Sequence, residues 1–204
     1  MAENTRVGHF NLIQVKRLLL KSEARLGHMN FCRGPVSLRL GRGADLGNRN
    51  TVSRAPRGVT FGSAQLWLGQ GAKITAGHTL DCTQSIQLGN YATLAGKNSQ
   101  IWTHGYVHED EAPKRYRVDG RVIIGNNVYL GSSVIVTGGV LICNGVSVGV
   151  GSCVTKHLTE PGFYVSGELR MLPKPVDPES RSDMERVTAP ELIETVYRKH
   201  DASP

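Results

Sequence analysis

The chain has 204 residues, room for one domain of moderate size with short terminal additions. Hydrophobic residues make up 39% and aromatics only 6%, so a core here is built from Val, Ile, Leu and Ala rather than from rings. Against 17 acidic side chains stand 24 basic ones, and the net charge of +7 favours an anionic partner. The sequence carries no aromatic-rich basic motif and no Cys/His finger spacing, which argues against nucleic acid.

Cys32, Cys82, Cys143 and Cys153 form no CxxC pair, as expected of a reduced, cytoplasmic protein with free thiols. Residues 1–10 lack the apolar stretch of a signal peptide. No run approaches the roughly 18 apolar residues that span a bilayer. The expected location is cytoplasmic, or peripheral to the inner membrane.

Residues 1–35 read as an N-terminal cap. Within them, Phe10 to Ser22 carries Leu12, Ile13, Val15, Leu18, Leu19 and Leu20, a pattern that suits a short amphipathic helix over the open end of a sheet structure. From 36 to 156 the dominant signal is internal repetition. Aliphatic residues recur at every sixth position at Ile124, Leu130, Val136, Ile142, Val148 and Val154. A second small or β-branched series follows at Val128, Val134, Val140, Val146 and Ser152. Upstream the pattern is looser: Leu40-Gly41 with Ala44, Leu46-Gly47 with Asn50, Leu68-Gly69 with Ala72, Leu88-Gly89 with Ala92, and Leu94-Ala95 with Asn98. Slips near Arg57, Gln65 and Thr83 mark corner bulges. A period of six fits neither a helix nor a simple hairpin. It fits a chain that runs straight, turns and repeats, three sides closing a coil of about 18 residues. Stacked coils pair as parallel strands about 4.8 Å apart.

Gly105 to Gly120 (GYVHEDEAPKRYRVDG) breaks the repeat as a polar excursion from one coil. An interruption of that length in a repeat protein points to function, although loops also lengthen cheaply. Residues 157–204 form a C-terminal extension. Pro161-Gly162 makes a turn, Pro173, Pro175 and Pro178 mark an extended arm, and Ala189 to His200 reads as a terminal helix opened by Pro190 and Glu191.

The block VIIGNNVYLGSSVIVTGGVLICNGVSVGVGSCVTK, residues 122–156, resembles the hexapeptide-repeat acyltransferases, with the galactoside, maltose and sugar O-acetyltransferases nearest in pattern. The resemblance spans roughly 36–172. It implies an all-β, left-handed parallel β-helix, against the usual right-handed preference of parallel crossovers. It further implies a homotrimer with sites between neighbouring prisms, and acetyl-CoA as cosubstrate without a metal. The histidine that precedes the excursion in such proteins corresponds to His104, in SQIWTHGYVHE. The backbone at Ser132 would face the thioester. Gly149 and Val150 would lie along the pantetheine arm, Thr155 and Lys156 near the phosphates, and Tyr129 in place of a frequent tryptophan. The closing Gly-Asn-Pro-Ala signature is missing. Ser166 to Arg170 stand there instead, and Arg170 or Lys174 is left to meet phosphates.

The chemistry requires a base, because a sugar hydroxyl is a poor nucleophile at neutral pH. Imidazole is suited to that task, so His104 is the expected base, with Glu109 the candidate to orient it. Trp102 and His108 are candidates for acceptor contact; Trp102 alternatively walls the cleft, and His108 is alternatively solvated. His78 reads as a structural corner residue. No cysteine stands in a setting that marks a nucleophile.

Two other function classes compete. A γ-class carbonic anhydrase-like metalloenzyme would draw zinc ligands from His78, His104 and His108. A non-catalytic prism would serve assembly or binding. Within acyl transfer, an amino sugar or a xenobiotic such as chloramphenicol is the alternative acceptor. Arg39, Arg42, Arg49, Arg54 and Arg57 read as a solvated face, or as a patch for an anionic saccharide.

Overall fold

The computed structural model describes residues 2–56, 58–110, 113–166 and 178–200. Arg57, Arg170 and Lys174, named above, lie outside them. The chain is an all-β parallel β-helix of three faces, the arrangement expected of a left-handed prism. The first face stacks β1 (Arg6–Val7), β3 (Arg25–Leu26), β5 (Asp45–Asn48), β8 (Lys73–Ala76), β11 (Thr93–Leu94), β16 (Tyr129–Leu130), β19 (Val146–Val148) and β21 (Gly162–Tyr164). The second holds β6 (Thr51–Ser53), β9 (Thr79–Asp81), β12 (Gln100–Trp102), β17 (Ile135–Val136) and β20 (Cys153–Val154). The third holds β7 (Ala64–Leu68), β10 (Ile86–Leu88), β15 (Val122–Ile124) and β18 (Leu141–Ile142). Two long strands, β2 (Leu12–Leu20) and β4 (Phe31–Leu40), turn a corner without a break. Phe31, Cys32 and Arg33 pair with β6, while Val36 to Leu40 pair with β7.

The six-residue period produces this directly. The series Ile124, Leu130, Val136, Ile142, Val148 and Val154 is buried, as are Val128, Val134, Val140 and Val146. Each of these side chains rests on its counterpart one coil away, as Leu88 does on Leu68 and Ile124. One aliphatic core runs the length of the prism.

Two expectations fail at the ends. Residues 12–20 are a strand paired with β4, not a helix. The register shifts between Val15 and Arg17 as the strand rounds its corner. That shift changes the phase of the alternation, so apolar positions on two faces imitate helical spacing. At the other end, Val196–Lys199 is a strand, β23, paired in parallel with one arm of the excursion and antiparallel with β22 (Met184–Val187). Val196 and Tyr197 are buried there, and β-branched and aromatic residues suit a pleated surface. The described residues contain only one short 3₁₀ turn, Pro178–Ser180, and no helix long and apolar enough to cross a membrane.

The corner between the first and second faces is closed by a polar ladder. Asn11 Oδ1 accepts from Asn30, Asn30 Oδ1 from the Asn50 amide, Asn50 Oδ1 from the His78 amide, and His78 Nδ1 from the Ser99 amide at 3.1 Å. His78 is therefore a rung, as expected of a structural residue. Burial holds its pKa down at about 4. Unfolded, the ring titrates near 6.5, so between these values the unfolded chain binds the extra proton. Neutral His78 thus contributes stability in full above about pH 6.5, and that contribution is lost as pH falls toward 4. The loss approaches about 3 kcal/mol. Urea denaturation at pH 7 and pH 4.5 should show His78→Asn much less acid-sensitive than the native chain. Parallel curves for the two would remove the ring from the account.

Arg54 is buried rather than solvated. Its guanidinium donates to the carbonyls of Pro35, Phe61 and Thr83, and so ties down the loop between β6 and β7.

Candidate active site

The expected excursion is present. It leaves the corner between the second and third faces as an antiparallel hairpin, β13 (His104–His108) and β14 (Arg115–Asp119), in which His104 pairs with Asp119. His104 is the hairpin's first residue, so its ring lies at the prism corner and not out along the excursion.

The group that holds the ring is Asp81. Its Oδ2 lies 2.8 Å from His104 Nδ1. Asp81 is the last residue of β9 and sits directly beside Trp102 in the next coil. Glu109, the carboxylate expected from the sequence, lies past the far end of β13, exposed in the hairpin turn where its amide donates to the Lys114 carbonyl. Reach explains the correction. An extended strand carries Glu109 away from the corner, while parallel pairing brings Asp81 to it.

Asp81 is itself fixed. The Thr103 amide donates to Oδ2 at 3.1 Å, the Thr103 hydroxyl lies 2.9 Å from the same oxygen, and the Thr83 hydroxyl donates to Oδ1 at 3.0 Å. Burial pushes the Asp81 pKa up, but the hydrogen bonds from His104, Thr103 and Thr83 and the charge of His104 bring it below the usual carboxylate value. Reciprocally, the hydrogen bond to Asp81 raises the His104 pKa above 6.5, against burial and with help from the Asp81 and Asp119 charges. The two directions agree. With Nδ1–H committed to Asp81, neutral His104 presents Nε2 as an acceptor, and among the described residues no partner occupies it.

Two rings flank the imidazole edge-on. The Trp102 centroid is 6.4 Å away at 79°, and that of Tyr106 is 5.9 Å away at 88°. Trp102 thus adjoins His104. His108 is exposed near the far end of the hairpin. Behind the ring, buried Arg117 bonds Asp119 at 2.7 Å and Glu194 at 2.5 Å, a cluster that the sequence pattern did not reveal.

The residues implied to hold the cofactor divide between two corners. Thr155 and Lys156 follow β20 on the same corner as His104, two coils further along, and are exposed. Ser132, Gly149 and Val150 stand on the corner between the first and second faces, where the Gly151 amide donates to the Ser132 carbonyl. Tyr129 is exposed on the first face. Gly96 lies beneath Ser132 with φ +67°, and a Cβ there would meet Ser132 Oγ at 1.7 Å. Gly96→Ala should therefore destabilise the fold by about 1–3 kcal/mol in urea titration. An unchanged midpoint would show that this corner gives way freely.

The two buried thiols offer no rival nucleophile. Burial pushes Cys32 up to about 12 and also raises Cys82, while Cys143 and Cys153 are the more accessible pair. Nor do the three histidines converge. His78 is spent in the ladder, His104 on Asp81, and His108 lies out along the hairpin. Among the described residues no cluster of three or more His, Cys, Asp or Glu side chains forms a metal cage.

No family model matches the chain, and no curated protein matches it in sequence. Solved structures do match it in fold. A point mutant of AntD, an N-acyltransferase from Bacillus cereus crystallised with dTDP and coenzyme A, is 18% identical over 83% of this chain and 82% of that one, with a TM-score of 0.55. A maltose O-acetyltransferase from Clostridium difficile 630 is 23% identical over 67% of this chain and 66% of its own, with a TM-score of 0.45. The polysialic acid O-acetyltransferase OatWY is 20% identical over 88% of this chain and 98% of that one, at 0.43. The AntD likeness establishes the shared parallel β-helix fold.

Proposed function

We propose that this protein is an acyl-CoA-dependent O-acetyltransferase that moves an acetyl group from acetyl-CoA to a hydroxyl of a sugar or polysaccharide precursor. The observation that carries the reading is the Asp81–His104 pair, with two aromatic rings beside the imidazole and no partner on Nε2 among the described residues. The fold likeness to AntD, which was crystallised with coenzyme A, supports the choice of cosubstrate.

In this reading His104 Nε2 takes the acceptor's proton as its oxygen attacks the thioester carbonyl. A carbon–oxygen bond forms, and the carbonyl electrons move onto oxygen. Backbone N–H groups near Ser132 receive that oxyanion. Collapse breaks the carbon–sulfur bond, and the departing thiolate takes the proton from the imidazolium. Asp81 balances the cation in between. The products are an ester and the free coenzyme A thiol.

Ser132, Gly149 and Val150 occupy a different corner from His104, so a single prism divides the working parts. A homotrimer resolves this, with the His104 corner of one copy facing the Ser132 corner of the next, and coenzyme A lying between them along Gly149, Val150, Thr155 and Lys156. Tyr129 would border the same groove from the first face. The reaction belongs where acetyl-CoA is held, in the cytoplasm. Transfer to the amine of an amino sugar is the second reading, favoured by the fold shared with an N-acyltransferase. Coenzyme A release tests both, with nucleotide sugars, free sugars, amino sugars and glycans assayed in parallel. An intact protein that releases thiol with none of them would sink the proposal.

A further inference from the structure

Residues 189–199 form a strap along the corner that carries His104. The Ile193 amide donates to the Gly58 carbonyl in the loop between β6 and β7. The Thr195 carbonyl accepts from Arg117, and β23 then continues along β14. Lys199 Nζ ends the path on the Gly138 carbonyl at 3.1 Å. Midway, Glu194 holds the Tyr106 hydroxyl through both oxygens, at 2.9 and 3.0 Å.

A purely structural tie would need only Glu194 and Arg117, which is 1% exposed. Tyr106 is 40% exposed and adds little to the core. Fixing an exposed ring costs side-chain entropy without a matching gain in burial. Yet this ring is fixed three ways: by Glu194 at its hydroxyl, by the Arg115 guanidinium 4.9 Å over its face, and by the edge contact with His104. The second neighbouring ring is tied down as well: the Trp102 indole N–H donates to Gln100 at 2.8 Å. The imidazole thus has two aromatic rings beside it, each anchored by a hydrogen bond. A pyranose has an apolar C–H face and a rim of hydroxyls, which suits such rings with a proton acceptor beside them.

We propose that the strap builds a saccharide subsite at His104, in which Tyr106 and Trp102 orient the acceptor ring and Glu194 acts as the positioning residue for Tyr106. This rests on His104 as the base.

The test uses the full chain with acetyl-CoA and three acceptor probes: maltose, N-acetylneuraminic acid and p-nitrophenyl β-galactoside. Hydrolysis of acetyl-CoA by water serves as internal reference. Tyr106→Ala should raise the acceptor KM about tenfold or more and lower the ratio of transfer to hydrolysis, with the acetyl-CoA KM within about twofold. Tyr106→Phe and Glu194→Gln should raise the acceptor KM about three- to tenfold. Should Glu194→Gln unfold, Tyr106→Phe decides, because it keeps the Glu194–Arg117 pair. An unchanged acceptor KM in folded Tyr106→Ala overturns the subsite, and so does native protein that acetylates none of the probes. His104→Ala separates the two claims. If it is inactive while Tyr106→Ala behaves normally, only the subsite falls; if it retains turnover, the base assignment fails and the subsite falls with it.

Discussion

His104→Ala is expected to lose about 10²–10⁴ in kcat, equivalent to about 2.7–5.4 kcal/mol of transition-state stabilisation, while still binding coenzyme A. The imidazole is about one-quarter exposed, and its removal opens no hole in the aliphatic core, so the variant should fold. The native pH profile carries the same claim. Only neutral His104 can accept a proton, and its pKa is raised by Asp81, so kcat/KM should fall with acid through a pKa above the usual 6.5. A thiol-release assay reads both results. Undiminished turnover in folded His104→Ala would take this ring out of the mechanism.

Asp81→Asn should approach the same loss, about 10²–10⁴ in kcat, with little change in the acetyl-CoA KM. In the proposed mechanism the carboxylate does two jobs: it fixes the proton on Nδ1, which leaves Nε2 as acceptor, and its charge stabilises the imidazolium formed during attack. An amide keeps the shape and loses the charge. If its NH₂ group faces the ring, Nδ1 must accept, and the proton moves to the nitrogen that should be free. The acidic limb of the profile should also move down, because the principal cause of the raised His104 pKa is gone. Because Asp81 is buried with Thr83 and Thr103 bonded to it, the thermal midpoint must be measured alongside. A folded variant with native kcat and an unmoved limb would show that the contact is only architectural.

Much of the prism is legible in the sequence because its forces are local and periodic. From Ile124 to Val154 each buried aliphatic residue announces itself by position. His104 is legible as well, standing where the repeat stops. Asp81 is not, because it lies 23 residues upstream and reaches the ring only through the stacking of coils. Aligning β9 with β12 would have found it, since Asp81 faces Trp102 in that register. At the terminal strands the sequence misleads for two separate reasons. The phase shift in β2 mimics helical spacing. The strand character of Val196 to Lys199 comes from a tertiary partner, the open edge of β14, which no local pattern announces. Glu194 was hidden for the same reason, since it acquires meaning only where the strap crosses Tyr106 and Arg117.

His104 and Asp81 sit on successive turns of a solenoid, so in the proposed mechanism the width of one seam between neighbouring rungs sets the proton-transfer geometry. Such a molecule can fray at its extremities without losing turnover, provided that seam stays shut. Conversely, a lesion remote from every reactant would disable the proposed chemistry as soon as it let those two turns part.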